Sequence, residues 1–231
     1  VELVGHHRVQ YDGNWKLRHE NMMDNYHVPV LHNTWRGQMS IQVFKSMVSM
    51  DLGRGHGGFL ITDPEAFESF SGLGYDGTSI AGTITQQQRN DLDPMVNNLV
   101  DLGGHVGLFP NFWLSQHGIQ LRFLEPLDVD ETITHMLLFL PKSMPEEERA
   151  QFKRDGEDFW GPSGDATPDD AEVFASVQLA SDERTELEWL DLSRGMNRSH
   201  DSFDFSSYPP DRDPPEIVEA SLSTDDTGIR A

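Results

Sequence analysis

Short hydrophobic stretches with strand character, bounded by turn-forming residues, recur along the chain. They predict strands at residues 3–11, 41–50, 58–62, 105–108, 112–116, 119–125 and 132–140. The last four follow one another closely, and short turns such as Pro110-Asn111 and Asp128-Val129-Asp130 separate them. Close spacing with short turns predicts an antiparallel meander in the middle of the chain.

Two of the predicted helices flank this strand-rich region. No Gly or Pro interrupts residues 15–27, and we expect Pro29 to end this helix, because proline disfavours helical geometry in the residue before it. Proline and three glutamates at 145–148 open a second helix that continues to Trp160, since both residue types are favoured in a first helical turn. The sequence Gly161-Pro162-Ser163-Gly164 then breaks it.

Further helices are predicted at 86–102 and 168–180. Residues 64–83 are rich in Gly, Ser and Asp and are predicted to form a loop region. Strands grouped in the middle, with helices before and after, predict an α+β fold. We interpret residues 1–231 as a single domain in which 199–231 form an extended C-terminal arm.

The composition is strongly acidic and free of cysteine. Lys and Arg number 17 against 39 Asp and Glu, giving a formal charge of −22 that disfavours nucleic acids and anionic membranes as partners. No apolar stretch approaches the roughly 20 residues of a membrane-spanning helix. We therefore predict a soluble, cytoplasmic chain with no nucleic acid and no membrane partner. Without cysteine, these residues cannot form disulfides, thiolate metal sites or iron–sulfur ligation.

Both ends of the chain are abrupt. Residues 1–5 already have strand character without an initiating Met, and residues 227–231 resemble the start of a helix. We expect the chain to be a fragment of a longer one.

The densest group of chemically useful residues surrounds two histidines. His27 and His32 are five residues apart, which on a continuous helix separates them by roughly 140° and prevents them from sharing one ion. Because Pro29 interrupts the helix between them, the second ring can turn back toward the first. Asp24 lies one turn before His27, where a carboxylate can accept the free ring N–H of a metal-bound histidine. The alternative is chance, since the chain has ten histidines.

Asp169 and Asp170 are candidates for a third ligand far downstream. Both also suit the first turn of a helix, where the helix dipole favours acidic residues, and composition alone does not choose between the two roles. Two imidazoles and one carboxylate form the facial triad of non-haem Fe(II) oxygenases, which leaves positions open for dioxygen and substrate.

Two motifs together carry a resemblance to a known family. The pattern N-W-K-x3-E-N-x2-D-x-Y-H-x4-H at 14–32, followed by G-P-x-G-x4-D-D at 161–170, resembles the catalytic domain of the large (alpha) subunit of Rieske-type aromatic-ring-hydroxylating oxygenases. The segment 188–196 is similar to the C-terminal part of that family. The resemblance implies a helix-grip domain, a curved antiparallel sheet wrapped around a long helix.

The resemblance also implies roles for individual residues. His27, His32 and Asp170 match the ligands of the mononuclear Fe(2+), with Asp169 as the neighbour of the third. Asp24 matches the bridging carboxylate that links the iron site to the Rieske cluster of an adjacent subunit, and Asn21 matches a polar residue near the iron. Trp160 matches a large side chain that faces the substrate.

The implied reaction inserts oxygen from O2 into an aromatic substrate, by dioxygenation or monooxygenation. Electrons come from NAD(P)H through a ferredoxin or reductase and a [2Fe-2S] Rieske cluster, which a chain without cysteine cannot hold. Either the Rieske domain was trimmed from this chain or a partner supplies the cluster. The family implies a homotrimer, or a hetero-hexamer with a small subunit.

An apolar pocket with few polar anchors is expected around the iron. The candidate apolar lining residues are Trp160, Met22, Val28, Val30, Leu31, Val106 and Phe112, and for each except Trp160 ordinary core packing is the stronger alternative. His105 and Asn111 could donate hydrogen bonds to a substrate, and an ordinary turn or core role is at least as strong an alternative for both. Four basic or potentially basic residues are candidates for recognising a substrate carboxylate, and the sequence does not choose among them: Arg54, His117, Arg122 and Lys142.

Two other functions remain open at this stage. One is a non-enzymatic small-molecule-binding module of the same helix-grip architecture, in which the histidines and acids serve only structure. The other is a zinc hydrolase that uses the same three ligands with a bound water. The absence of an obvious general base makes the hydrolase the weakest of the three.

Overall fold

The structure, a computed structural model, describes residues 1–24, 27–32, 47–61, 104–115, 120–182 and 219–222, together with Gln87. These residues contain the strands β1 (Glu2–Asp12), β2 (Met47–Gly53), β3 (His56–Ile61), β4 (Gly104–Leu108), β5 (Phe112–Ser115), β6 (Gln120–Asp128), β7 (Glu131–Leu140) and β8 (Glu219–Leu222). The helices are α1 (Trp15–Asn21), α2 (Val28–Leu31), α3 (Glu146–Trp160) and α4 (Thr167–Asp182).

All eight strands belong to one antiparallel sheet with the order β1-β7-β6-β5-β4-β3-β2-β8. Strands β4 to β7 are consecutive neighbours, which confirms the predicted meander. Strand β1, the first in the chain, lies at one edge of the sheet beside β7, with Tyr11 opposite Thr132. Helices combined with a single antiparallel sheet confirm the predicted mixture of α and β elements.

Several predicted segments fall wholly or partly outside the described residues. These are the first half of the strand at 41–50, the loop at 64–83, nearly all of the helix at 86–102, and the family-like segment 188–196. Within the predicted arm 199–231, only 219–222 are described, and they form β8, in which Leu222 pairs with Val48.

One face of the sheet carries the core. Along β7, Met136, Leu138 and Leu140 point to the same side, because successive side chains of a strand alternate between faces. Helix α3 covers this side, where Phe152 packs with Leu138 and Leu140. In a second cluster, the fully buried Trp113 of β5 packs with Met22, which directly follows α1, and with Leu124 of β6.

Helix α1 is shorter than predicted. It ends at Asn21 rather than His27. A turn follows, in which the amides of Met23 and Asp24 both donate to the carbonyl of Glu20 at 3.0 Å. Pro29 does not end α1 but lies in the first turn of α2, a position where its missing N–H costs no helical hydrogen bond.

The predicted break between α3 and α4 is confirmed, and it is a tight turn. A Cβ on Gly161 would lie 2.3 Å from the carbonyl oxygen of Glu157, and one on Gly164 would lie 2.7 Å from that of Phe159. Only glycine fits such close backbone approaches. The turn directs α4 back over the sheet, where the rings of Phe174 and Tyr11 are 5.0 Å apart.

None of the helices in the described ranges is long and apolar enough to cross a membrane.

Candidate metal centre

Three side chains from separate elements meet beside α1. His27 precedes the first residue of α2, His32 follows its last residue, and Asp170 lies in the first turn of α4. Their potential ligand atoms all lie within 4.8 Å of one another. Asp170 Oδ1 is 3.3 Å from Nε2 of His32 and 3.8 Å from Nε2 of His27. A four-residue helix between the histidines, instead of a continuous one, brings both rings to the same point.

A carboxylate lies beside the other ring nitrogen of each histidine. Asp24 Oδ2 is 3.4 Å from Nδ1 of His27, an electrostatic contact rather than a well-formed hydrogen bond. Asp169 Oδ2 is 3.3 Å from Nδ1 of His32. A carboxylate at Nδ1 favours the proton on that nitrogen and leaves the Nε2 lone pair free for a metal ion.

Two residues of α1 bind the carboxylate of Asp170. Arg18 Nη1 donates to Oδ2 at 2.6 Å, and Asn21 Nδ2 donates to Oδ1 at 3.2 Å. Asn21 Nδ2 also lies 3.1 Å from Nε2 of His27, and its own Oδ1 accepts from Arg18 at 3.1 Å. Asn21 therefore connects Arg18 to two of the three converging side chains.

The surroundings of Asp170 keep it ionised. Burial by itself raises the pKa of this carboxyl, but the Arg18 guanidinium, the hydrogen bond from His32 and the charges of His27 and His32 outweigh burial and hold the pKa well below its usual range. A permanently anionic oxygen therefore faces the two imidazoles.

The residues present fit a divalent transition-metal ion. Two imidazole Nε2 atoms and one carboxylate oxygen converge, and each imidazole has a carboxylate at Nδ1. Among the described residues, this is the one group of His, Asp and Glu side chains whose ligand atoms come this close together.

Sequence reasoning missed two contributors to this centre. Arg18 was not predicted at all, because its partner lies 152 residues away and no local pattern signals the contact. Asp169 was considered as an alternative ligand or as the neighbour of Asp170, and not as the partner of His32 Nδ1 that the structure shows.

The predicted pocket residues lie in several different environments. Met22 is buried with Trp113 and Leu124, whereas Val30 is 68% exposed. The side chain of Asn111 donates to the carbonyl of Leu124 at 3.0 Å, a contact that holds the turn before β5 to β6. The remaining predicted lining residues with described burial are half-buried: Val28, Leu31, Val106, Phe112 and Trp160.

Three of the four candidates for carboxylate recognition lie in the described residues, and they differ in burial. Arg122 is fully buried, with its guanidinium 4.1 Å from the centre of the Trp160 ring and 3.4 Å from the sulfur of Met22. Gln120 Oε1 accepts from two of its nitrogens, at 3.0 and 2.7 Å. Arg54 and Lys142 are exposed, and His117 lies outside the described residues.

Comparisons with known proteins identify the family of the chain. The family model for the ring hydroxylating alpha subunit, catalytic domain, matches residues 1–199. A 2-halobenzoate 1,2-dioxygenase large subunit from Burkholderia cepacia is 30% identical over 216 residues, which cover 84% of this chain and 43% of that protein. A toluate 1,2-dioxygenase subunit alpha from Pseudomonas putida is 28% identical over 185 residues, 76% of this chain and 40% of that protein.

The fold is also similar to a solved structure. Naphthalene 1,2-dioxygenase from Rhodococcus sp., bound to indole, aligns with a TM-score of 0.72 at 20% identity, over 99% of this chain and 54% of that chain. The chain belongs to the family of ring-hydroxylating alpha subunits, of which it represents the catalytic domain. It spans less than half the length of the curated relatives it matches.

Proposed function

We propose that this chain is the catalytic domain of a terminal oxygenase that inserts oxygen from O2 into an aromatic substrate at a mononuclear non-haem Fe(II). The observation that carries the proposal is the convergence of His27, His32 and Asp170 in a member of this family. We assign the metal-binding role to His27 Nε2, His32 Nε2 and Asp170 Oδ1. Bound ferrous iron would supply the activation of dioxygen and its transfer to the substrate.

The protein groups around the ion would orient its ligands. Asp24 and Asp169 each lie beside Nδ1 of one imidazole and would favour a proton on that nitrogen, which leaves Nε2 of that ring to bind the ion. Asn21 stays within hydrogen-bonding distance of both His27 and Asp170. We therefore interpret Asn21 and Asp24 as part of the catalytic machinery, with Asp24 on the route by which electrons reach the iron.

Electrons must come from outside these residues. We propose that NAD(P)H supplies them through a ferredoxin or reductase and a [2Fe-2S] Rieske cluster, which this cysteine-free sequence cannot bind. A homotrimer, or a hetero-hexamer with a small subunit, would bring the cluster of one subunit to the Asp24 side of the next. We further propose a cytoplasmic location, and a helix-grip arrangement in which the sheet curves around α4.

We propose an aromatic carboxylate as the substrate class. The two curated relatives described above are named for 2-halobenzoate and toluate, both benzoic acids. Arg122 is the candidate partner here, because a guanidinium can bind a carboxylate through two parallel hydrogen bonds. Its Nε and Nη2 donate to Gln120 Oε1 in the structure, so the substrate carboxylate would replace Gln120 as the acceptor. Arg122 contacts Trp160 and Met22, two of the residues predicted to line the pocket.

The test of the metal site is anaerobic reconstitution with Fe(II). We expect about one iron per chain, and we expect His27→Ala to abolish binding because only two of the three protein ligands would remain. His135→Ala is the matched control, since His135 also contacts a carboxylate, Glu125, at 2.7 Å. A stoichiometry near zero in the unaltered protein would favour the non-enzymatic binding module. Zinc-dependent ester hydrolysis without oxygen uptake would favour the hydrolase.

The test of the substrate class is benzoate binding to the iron-loaded protein, measured by calorimetry. Arg122→Met should weaken it about ten- to hundredfold, the value of a charge-assisted hydrogen-bonded contact. Arg54→Met, which removes an exposed arginine, should not change it. Unchanged benzoate affinity in a folded Arg122→Met variant would contradict the assignment.

A further inference from the structure

We propose that Arg18 retains one oxygen of Asp170, so that this carboxylate binds the metal ion through Oδ1 alone. The proposal depends on the metal site proposed above and adds to it a positioning residue outside the ligand set. It concerns how many coordination positions the protein occupies, and therefore how many it leaves open.

The two oxygens of Asp170 have different environments. Oδ2 accepts a hydrogen bond from Arg18 Nη1 at 2.6 Å, a short distance that is typical of charge-assisted bonds. Oδ1 faces the other way, 3.3 Å from His32 Nε2 and 3.8 Å from His27 Nε2. The histidines can therefore share an ion with Oδ1 without any movement of Oδ2 away from the guanidinium.

The contact between Arg18 and Asp170 is well protected. The two side chains are only 3% and 5% exposed. The guanidinium is also fixed by Asn21 Oδ1 at 3.1 Å and lies 5.7 Å from the centre of the Phe174 ring. If Oδ2 moved to a metal ion, Arg18 would remain as a buried cation without its partner, and this state is strongly unfavourable.

Binding through one oxygen has a consequence for the chemistry. A carboxylate that binds through both oxygens occupies two positions around the ion, whereas one that binds through a single oxygen occupies one. With His27, His32 and Asp170 Oδ1, the protein would occupy three positions. With both oxygens of Asp170 it would occupy four, so Arg18 would leave one more position open for dioxygen, substrate or water.

The experiment uses Co(II) as a spectroscopic substitute for Fe(II) in three proteins: the unaltered chain, Arg18→Met and Arg149→Met. Arg149 is the control, because it also contacts a carboxylate, that of the more exposed Glu2, at 2.8 Å and outside the metal centre. The readouts are Co(II) stoichiometry, the visible absorption of bound Co(II), which weakens as its coordination number rises, and crystal structures of the loaded proteins.

We expect Oδ1 alone to contact the metal ion in the unaltered and Arg149→Met proteins. In Arg18→Met we expect both oxygens of Asp170 to contact it and the visible absorption to lose intensity. Two oxygens bound in the unaltered protein would overturn the proposal, as would an unchanged single-oxygen contact in Arg18→Met. Loss of Co(II) binding in folded Arg18→Met would overturn it too, because Arg18 would then only hold the site together.

A second variant covers the case in which Arg18→Met does not fold. Arg18→Gln keeps a polar side chain, but its amide ends two bonds short of the Nη1 position and cannot retain Oδ2. The same gain of a second oxygen contact is expected there, and its absence overturns the proposal. Failure of the unaltered protein to bind Co(II) or Fe(II) would instead refute the metal site itself, so the two proposals fail on different measurements.

Discussion

Two clusters in the described part of the chain each contain two histidines and a carboxylate, and they differ in how their side chains are arranged. In the metal centre, Nε2 of His27 and Nε2 of His32 face the same oxygen of Asp170. On the opposite face of the sheet, His6 Nε2 lies 3.0 Å from His135 Nδ1, and His135 Nε2 lies 2.7 Å from Glu125 Oε2. The first cluster converges on a point, whereas the second forms a line.

Backbone geometry explains the difference. His6, His135 and Glu125 lie on neighbouring strands, β1, β7 and β6, and their side chains stand side by side on one face of a sheet. His135 therefore uses both ring nitrogens for neighbours, and its ring stacks on Phe123 at 4.2 Å. The metal centre instead draws on two helix ends and a first helical turn, which can direct side chains inward from different directions. Residue types alone do not distinguish the two clusters.

The largest expected effect is a difference in stability between two variants, each of which lacks the carboxylate of one cluster. Asp170→Ala should destabilise the metal-free protein by about 3–5 kcal/mol, because it leaves Arg18 as a buried, unpaired cation. Glu125→Ala should cost at most about 1 kcal/mol, since Glu125 is 48% exposed and its ion pair is screened by water. Urea unfolding of both variants measures the difference, and equal losses would show that burial of the pair is irrelevant.

The next effect is on metal affinity. Asp169→Asn should weaken Fe(II) binding about ten- to hundredfold, because the amide no longer fixes the tautomer of His32. Glu125→Gln, which makes the same change beside His135, should leave Fe(II) binding unaltered. Anaerobic titration against a competing chelator measures both. If Asp169→Asn keeps full affinity, Asp169 is only a favourable first-turn acid of α4.

His19 belongs to neither cluster, and it shows the effect of burial on a histidine that has no carboxylate partner in the contacts described above. His19 is 5% exposed among the rings of Trp15, Phe109 and Trp113. Burial lowers its pKa, the Gly55 backbone opposes that effect in part, and His56 adds to it. The folded state therefore binds a proton less readily than the unfolded state, so stability should fall as pH drops below about 6.5.

His19→Phe should reduce this acid sensitivity, by at most about 1.4 kcal/mol per pH unit, the slope of one proton. The measurement is the free energy of unfolding at pH 8 and pH 5.5 for the unaltered protein and the variant. Identical acid losses in the two proteins would exclude His19 as the cause.

The smallest expected effect concerns His6. Its side chain is exposed at the end of the linear cluster, so His6→Ala should change stability by about 0.5 kcal/mol or less and should not alter iron content. Thermal unfolding and iron analysis measure the two quantities. A loss of iron would mean that the two clusters are coupled through the sheet.

Much of this fold follows from local sequence patterns. The strands of the meander, the helix after Pro145 and the glycine break at 161–164 are confirmed, because hydrophobic spacing and turn residues act within a few positions. The end of α1 was predicted wrongly, since a single turn closed by the carbonyl of Glu20 overrides a helix-compatible composition up to His27. Local propensity is a weak force compared with such specific backbone contacts.

The sequence was enough to propose which side chains serve the metal centre, because its two motifs resemble those of a known family. Spacing and composition alone left chance and a first-turn role of the acids open. Tertiary structure alone decided their relations: which oxygen of Asp170 faces the histidines, that Asp169 reaches His32, and that Arg18 holds the remaining oxygen. Those contacts join residues more than a hundred positions apart. They depend on how α4 packs beside α1. A local sequence pattern cannot predict contacts between segments so far apart in the chain.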